Sequence, residues 1–173
     1  MAIDEATFKN ALAQWASGVT IVTTRLEDGS VKGMTASSFS SVSMKPFLVL
    51  VCVARRLYTH RLLETSKIFA INILGAEHEY WGKLFAGVYP EVENRWQDIE
   101  YDTAVTGSPV LPDALGWMDC RLHNQIEAGD HSIFIGEVLA AGNAGKGTPL
   151  MYYNRHWGTF SPLEIQQEKS ANR

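Results

Sequence analysis

The chain has 173 residues, a length that favours one domain with a single substantial core. Its hydrophobic fraction of 46% and charged fraction of 20% are ordinary for a soluble globular protein. A net charge of −4 argues against a general nucleic-acid binder, and no apolar run approaches the ~18 residues that a membrane span needs. The N-terminus lacks the basic-then-apolar pattern of a secretory signal, so the sequence predicts a cytoplasmic protein.

The first elements in the chain are a predicted helix and a predicted hairpin. Apolar residues recur at helical spacing over residues 4–17, with Asp4 as the N-cap and Gly18 in the left-handed position after the helix. The β-branched run 19–25 is followed by turn residues and by a second strand from Val31. We therefore expect one amphipathic helix and then two paired strands.

Residues 33–43 are unusually rich in hydroxyl groups, with five serines and one threonine. They lead into the apolar run 47–53, which predicts a strand buried on both faces. Hydroxyls and strand-end N–H groups supply hydrogen-bond donors without occupying volume, so this corner is a candidate site for a small, oxygen-rich ligand. The alternative interpretation is a solvated edge strand and loop.

A basic segment follows this strand. Arg55, Arg56 and Arg61 surround Thr59 at the start of a predicted short helix. Backbone N–H groups at a helix N-terminus favour an anion, and arginine can add a bidentate charge-assisted bond. The segment is a candidate phosphate site, and the alternative is a solvated basic patch.

The rest of the chain is predicted to be mostly antiparallel. We expect a core strand at 67–74, a helix at 77–86, an irregular segment at 87–113, a long hairpin of strands 115–127 and 131–141, and a last strand-like run at 151–160. Strands do not alternate regularly with long helices, and neither a Gly-x-Gly-x-x-Gly turn after a strand nor a P-loop is present. The pattern favours a mainly β fold, an antiparallel barrel with appended helices, over a Rossmann sheet.

Other kinds of site have little support. The five histidines lack metal-ligand spacing, and no Gly-x-Ser-x-Gly elbow supports a hydrolase. Cys52 and Cys120 lie in apolar runs and are interpreted as buried hydrophobic residues rather than a disulfide. His131 follows Gly129-Asp130 at the tip of the long hairpin, where it could project over a cleft or simply lie on the surface.

Several blocks taken together resemble the flavin reductase-like family, the reductase components of two-component flavin-dependent monooxygenases. The blocks are Gly33-Met34-Thr35-Ala36-Ser37-Ser38-Phe39, Ser41-Val42-Ser43, Thr59-His60, Gly129-Asp130-His131 and Gly136-Glu137-Val138. The resemblance runs from about Phe8 to Phe160. It implies a Greek-key-like, FMN-binding split β-barrel over residues 1–161 followed by a polar tail at 162–173. It also implies a homodimer and reduction of FMN or FAD by NADH or NADPH.

The resemblance also implies roles for individual residues. The isoalloxazine ring would lie against Met34, Thr35, Ala36, Ser37 and Ser38, with Ser40, Ser41, Val42, Cys52 and Val53 along the ribityl side. The phosphate would be held by Thr59 and His60 with Arg55 or Arg56, and Lys83, Phe85 and Ala86 would lie at the far edge or come from the dimer partner. His131 and Tyr153 would position the nicotinamide. Hydride transfer then depends mainly on proximity and orientation.

One departure from the family pattern concerns the phosphate. Many similar proteins carry a second hydroxyl two residues before the phosphate threonine, where this chain has Leu57. The phosphate would then rest more on arginine, or be held loosely, as suits a flavin that is a substrate.

Rival interpretations stay open at this stage. They are a pyridoxamine-phosphate-oxidase-like or electron-transfer protein with tightly held FMN, and a non-catalytic flavin or haem module. The sequence does not name a monooxygenase partner. It shows no cluster distinctly suited to a 2′-phosphate, which favours NADH over NADPH.

Overall fold

The computed structural model describes residues 3–163. In chain order its elements are α1 (Glu5–Ala13), β1 (Ser17–Gly18), β2 (Thr20–Arg25), β3 (Val31–Ala36), β4 (Ser40–Met44), β5 (Phe47–Ala54), α2 (Tyr58–Ser66), β6 (Ile68–Ile73), a 3₁₀ turn (Ala76–His78), α3 (Glu79–Phe85), β7 (Asp102–Thr103), β8 (Pro109–Val110), β9 (Gly116–Ala128), β10 (His131–Asn143), β11 (Leu150–Tyr153) and β12 (His156–Thr159). The mainly β architecture with appended helices is confirmed. No helix within the described range combines the length and apolarity needed to cross a membrane.

Seven strands form one antiparallel sheet in the order β3-β2-β6-β9-β10-β5-β4. The sheet curls on itself, because Ser38, just beyond one edge strand, bonds to the main chain of Cys52 in β5 near the other edge. A smaller antiparallel sheet, β1-β11-β12, and the helices complete the fold. The open seam between β3 and β5 makes this barrel a split one.

The core lies inside the curled sheet. Val22, Val51, Phe69 and Phe134 are fully enclosed, and burial of each such side chain contributes about 1.5–3 kcal/mol. The predicted hairpins β2–β3 and β9–β10 are both confirmed. The tail predicted at 162–173 falls largely outside the described residues.

Two sequence expectations about local structure are wrong. Helix α1 ends at Ala13, and Gly18 lies in β1 rather than in a left-handed cap. Strand β5 is not buried on both faces: Val49, Val51 and Val53 face the core, whereas Leu48, Leu50 and Cys52 on the other face are only half-buried. The second face of β5 is open because it borders a cavity rather than another layer of the fold.

The hairpin β9–β10 delivers its tip to the end of β5. His131 pairs with Ala54 across the β10–β5 ladder, and the Arg55 N–H donates to the Asp130 carbonyl at 2.9 Å. The tip of the hairpin is thereby fixed beside the first residues of α2. Strand β5 thus joins the hydroxyl-rich corner, the basic segment and the histidine.

Candidate active site

An inner cavity of about 310 Å³ lies at the split of the barrel. It is lined by the segment 34–38 together with Cys52, Ala54, Arg56, Leu57 and His131. Residues about 100 positions apart in the sequence therefore face one cavity. The structure brings together the hydroxyl block, one arginine and the hairpin histidine, as predicted.

The three hydroxyls of the 35–38 block have different local roles. Thr35 Oγ1 donates to the Gly82 carbonyl at 2.7 Å, which ties β3 to α3. Ser38 Oγ donates to the Cys52 carbonyl at 2.9 Å and accepts from the Cys52 N–H at 3.1 Å. Within residues 3–163 the exposed Ser37 hydroxyl has no hydrogen-bond partner, so it is the hydroxyl best placed to bind a ligand.

His131 is held by its neighbour. Its Nδ1 lies 2.7 Å from Asp130 Oδ1, and this contact lowers the pKa of the exposed Asp130 carboxyl. A carboxylate partner at one ring nitrogen fixes the orientation of an imidazole and leaves the other nitrogen for a ligand. The half-exposed His131 can therefore contact a molecule bound in the inner cavity.

The N-terminus of α2 is a candidate anion-binding corner. Its N-cap is Leu57, which supplies no side-chain hydrogen bond, so the first N–H groups of the helix are left for a ligand or for water. Arg56 lines the inner cavity, and Thr59 lies at the same helix end. Arg55 is instead engaged with Glu127, 3.2 Å away on the surface.

The side chain of His60, a residue expected at the phosphate, faces the barrel interior, and a role for this residue at the phosphate stays a prediction. His60 is buried, its Nε2 lies 2.8 Å from Ser132 Oγ, and its Nδ1 lies 3.4 Å from Glu64 Oε2. The ring also packs edge-on against Phe134, with centroids 5.1 Å apart. The third residue of this helix faces the barrel, so its imidazole fixes α2 to β10 and does not face a ligand.

Other predicted site residues do not line the inner cavity. The Val53 side chain is fully buried in the core, so only its main chain could contact the cofactor, and that contact stays a prediction. The sequence also assigned Ser40, Ser41 and Val42 to the ribityl side, and the structure places them on the exposed edge strand β4, outside the lining of the inner cavity. Their contact with the cofactor stays a prediction.

Two further predicted residues, Tyr153 and Lys83, do not line the inner cavity of their own chain. The Tyr153 hydroxyl donates to Gln14 Oε1 at 3.1 Å, beyond the end of α1. Lys83 Nζ pairs with Glu79 Oε1 at 2.5 Å on the surface of α3. Their roles at the nicotinamide and the cofactor edge also stay predictions.

A second, larger opening lies next to the inner cavity. This outer cleft, about 590 Å³, shares Met34, Thr35 and Leu57 with it. Phe85 and Ala86 line the outer cleft, as does the irregular segment 90–96 with Arg95 and Trp96. The sequence indicated only a loop there, because an irregular segment has no periodicity from which its inward side chains can be predicted.

The chemistry of the site is that of binding rather than of nucleophilic attack. Burial raises the pKa of the Cys52 thiol, which favours its protonated form, and Cys52 and Cys120 are both free. Across residues 3–163 no three His, Cys, Asp or Glu side chains are grouped as metal ligands. The cavity offers the main-chain and hydroxyl groups of 34–38, a basic side chain and an oriented imidazole.

Comparisons with known proteins agree with this geometry. Residues 12–161 match the family model described as flavin reductase like domain. The chain is 38% identical over 160 residues to the reductase component of 4-nitrophenol 4-monooxygenase/4-nitrocatechol 2-monooxygenase from Rhodococcus opacus, covering 92% of this chain and 83% of that protein. It is 34% identical to the FMN reductase (NADH) SmoA of Agrobacterium fabrum, covering 89% of this chain and 85% of that one.

A solved structure supports the same assignment. Flavin reductase PheA2 in its native state superposes with a TM-score of 0.84 at 35% identity, over 92% of this chain and all of the other. The seven-stranded barrel described above is therefore the fold of flavin reductases. The chain belongs to the flavin reductase like family and is an oxidoreductase that reduces flavin.

Proposed function

We propose that this chain uses NADH to reduce FMN or FAD as an exchangeable substrate and passes the reduced flavin to a partner monooxygenase in the cytoplasm. The observation that carries the proposal is the inner cavity, where the segment 34–38, Arg56 and His131 meet. NADH is favoured because the similar protein from Agrobacterium fabrum is named an FMN reductase (NADH). A monooxygenase partner is favoured because the similar protein from Rhodococcus opacus is named a reductase component.

The residues present fit a flavin. A flat ring with a polar rim suits a slot between the main chain of 34–38 and Leu57, where the Ser37 hydroxyl is free to bond. A phosphate suits the uncapped N-terminus of α2, with Thr59 and Arg56 close to it. When bound, the flavin supplies the hydride acceptor, and the protein supplies position and orientation.

His131 positions the nicotinamide in this proposal. Asp130 holds one ring nitrogen of His131, so the other can contact the nicotinamide at the open side of the inner cavity. No side chain has to transfer a proton for a hydride to move between two stacked rings. His131 therefore acts on the binding of NADH and on its alignment, rather than as an acid or base.

Loose binding of the phosphate favours flavin as a substrate. Leu57, the N-cap of α2, offers no hydroxyl to the phosphate. Arg56 is exposed to solvent, where contacts between charges are screened. The phosphate is thus held by few direct contacts. We expect the purified protein to lose its flavin on dialysis.

A homodimer would cover apolar surface that one chain leaves open. Helix α1 buries none of its residues, and Phe8, Leu12 and Trp15 are 52%, 56% and 76% exposed. Partly exposed Trp81 and Trp157 add to the large aromatic side chains of the chain. A second copy would also supply Tyr153 and Lys83 to the site. If the protein sedimented as a stable monomer, this arrangement would be contradicted.

Steady-state oxidation of NADH with FMN, with FAD and without flavin tests the proposal. We expect oxidation that depends on added flavin, and Thr59→Ala should raise the KM for flavin while His131→Asn should mainly raise the KM for NADH. Arg121→Ala is a matched surface control, because Arg121 pairs with Glu137 on the outside of the barrel. No flavin-dependent oxidation by the wild-type protein would refute the proposal.

A further inference from the structure

The two ends of the proposed ligand site are joined by one hydrogen bond inside the barrel. Thr59, at the phosphate corner, is followed by His60 in α2. His131, at the proposed nicotinamide contact, is followed by Ser132 in β10. His60 Nε2 lies 2.8 Å from Ser132 Oγ, and both side chains are buried. The elements that carry the two proposed contacts are therefore bonded to each other one residue away from those contacts.

His131 and Ser132 lie on opposite faces of β10. In the ladder with β5, Ser132 pairs with Val53, whose side chain is in the core. His131 pairs with Ala54, which lines the inner cavity. Successive residues of a strand alternate between its two faces, so the imidazole of His131 lies on the cavity side while the Ser132 hydroxyl meets α2 on the core side. The position of Ser132 thus fixes the strand end from which His131 projects.

The His60 ring is fixed on three sides. Its Nδ1 lies 3.4 Å from Oε2 of Glu64, one turn further along α2, and the other oxygen of Glu64 accepts from the Gln125 amide in β9. A carboxylate beside Nδ1 favours the proton on that nitrogen, which leaves Nε2 to accept from the Ser132 hydroxyl. Phe134 packs edge-on against the ring at 5.1 Å. The imidazole therefore joins α2 to both strands of the long hairpin.

The bond between His60 and Ser132 opposes any movement of α2 away from β10. Within residues 3–163 it is the only hydrogen bond of the Ser132 hydroxyl, and Ser132 is completely buried. Separation of the two elements would leave two buried polar groups without partners, which is strongly unfavourable. The main-chain bond from Arg55 to Asp130 fixes the backbone of the hairpin tip. The side-chain bond sets the distance between the helix and the strand.

From these observations we infer that His60 is a positioning residue, which acts through Ser132 to hold His131 in place relative to the N-terminus of α2. The inference rests on the proposed function and adds to it a side chain that touches neither ligand. Hydride transfer depends on the alignment of the nicotinamide with the flavin, and the two ligands are held by β10 and α2 respectively. A change in the distance between these elements would therefore slow the transfer more than it weakens the binding of either ligand.

The test measures the single-turnover rate of flavin reduction at saturating NADH, together with the KM values for NADH and FMN. Ser132→Ala and His60→Leu each remove the bond, from opposite ends. The loss of one hydrogen bond that holds the alignment should lower the rate about fivefold, with both KM values changed less than about twofold. His60→Gln keeps an oxygen that can accept from the Ser132 hydroxyl, so it should restore most of the rate.

Thr23→Val is the matched control for the loss of a buried hydroxyl. Thr23 is fully buried in β2, its hydroxyl donates to the Pro109 carbonyl, and it lines neither the inner cavity nor the outer cleft. Thr23→Val and Ser132→Ala should both lower the stability measured by urea denaturation. Only Ser132→Ala should also lower the rate of flavin reduction, measured at a temperature at which every variant is folded.

Four results would overturn the inference. They are an unchanged rate in Ser132→Ala, an equal loss of rate in Thr23→Val, no recovery in His60→Gln, and a higher KM for FMN in His60→Leu alone, which would assign His60 directly to the phosphate. If His60→Leu does not fold, Ser132→Ala and His60→Gln still give the rate. In each case the wild-type protein still oxidises NADH with FMN, so the proposed function stands. Absence of any flavin-dependent oxidation by the wild-type protein is the separate result that removes the proposed function.

Discussion

Replacing Ser38 with alanine tests whether this hydroxyl holds the split barrel together rather than binding flavin. The Ser38 side chain bonds both main-chain groups of Cys52, at 2.9 and 3.1 Å, across the open seam between β3 and β5. Each hydrogen bond of this kind contributes about 1 kcal/mol net, so the loss of both should cost about 2 kcal/mol. In a chain of this size that loss lowers Tm by about 4–8 °C.

Ser37→Ala is the matched variant. Ser37 is the next residue in the same segment, it is exposed, and within residues 3–163 its hydroxyl has no hydrogen-bond partner. We expect its removal to change the free energy of unfolding by less than about 0.5 kcal/mol and to raise the KM for flavin. Urea denaturation and flavin-dependent NADH oxidation measure the two effects.

Ser38→Ala should therefore lower the stability of the protein, whereas Ser37→Ala should leave stability nearly unchanged and raise the KM for flavin. A Ser38→Ala protein as stable as the wild type would show that the seam does not depend on this hydroxyl. A Ser37→Ala protein as unstable as Ser38→Ala would contradict the assignment of roles within the segment. Either result would refute the division of the hydroxyl block into one structural and one ligand-binding serine.

Three further predictions address the core, the pH dependence of stability and the anion corner. Gly136→Ala should destabilise the protein by about 1–3 kcal/mol in urea denaturation, because a Cβ at this bulged position of β10 would collide with the Phe69 ring. Burial lowers the pKa of His78 in the folded protein below its usual 6.5, so below about pH 6.5 the unfolded chain takes up a proton that the folded protein does not, and the wild-type protein loses stability. In His78→Asn, the free energy of unfolding should therefore fall less between pH 7.5 and 5.5. The asparagine oxygen can still accept from the Gly75 N–H, as His78 Nδ1 does at 3.3 Å. Arg56→Ala should raise the KM for flavin by at most about fivefold, because an exposed charged contact is worth up to about 1 kcal/mol.

Each of these predictions has its own control. Gly158→Ala adds a Cβ in open space and should be neutral, so equal destabilisation by both alanines would contradict the packing argument. An unchanged slope of stability with pH in His78→Asn would assign the acid sensitivity to other groups. Arg55→Ala removes the same charge from a surface pair with Glu127, so an effect as large as that of Arg56→Ala would show that only general charge matters.

Much of the fold follows from local sequence patterns. The hairpin β9–β10 was predictable because its apolar alternation is long and the turn carries Gly129 in a positive-φ conformation. The convergence of the segment 34–38 with His131 was predictable only from the family resemblance. No periodicity indicates that β5 receives both Ser38 and the hairpin tip, because those contacts join residues far apart in the chain.

The differences between the expected and the observed positions have physical causes. His60 carries the residue type of an anion ligand, but the direction of its side chain depends on how α2 packs against Ser132 and Phe134. The alternation of β5 could not be distinguished from two-sided burial, because residues that border a cavity are as apolar as residues in the core. Trp96 and Arg95 lie in an irregular segment, where only tertiary packing determines which side chains enter the cleft.

The central claim is that the segment 34–38 and His131 enclose one flavin site within this chain. A crystal structure of the protein with FMN bound tests it most directly. The account predicts the isoalloxazine ring against the main chain of 34–38, within reach of His131, and the phosphate at the N-terminus of α2 beside Thr59 and Arg56. A flavin bound on another face of the barrel, with the inner cavity empty, would contradict it.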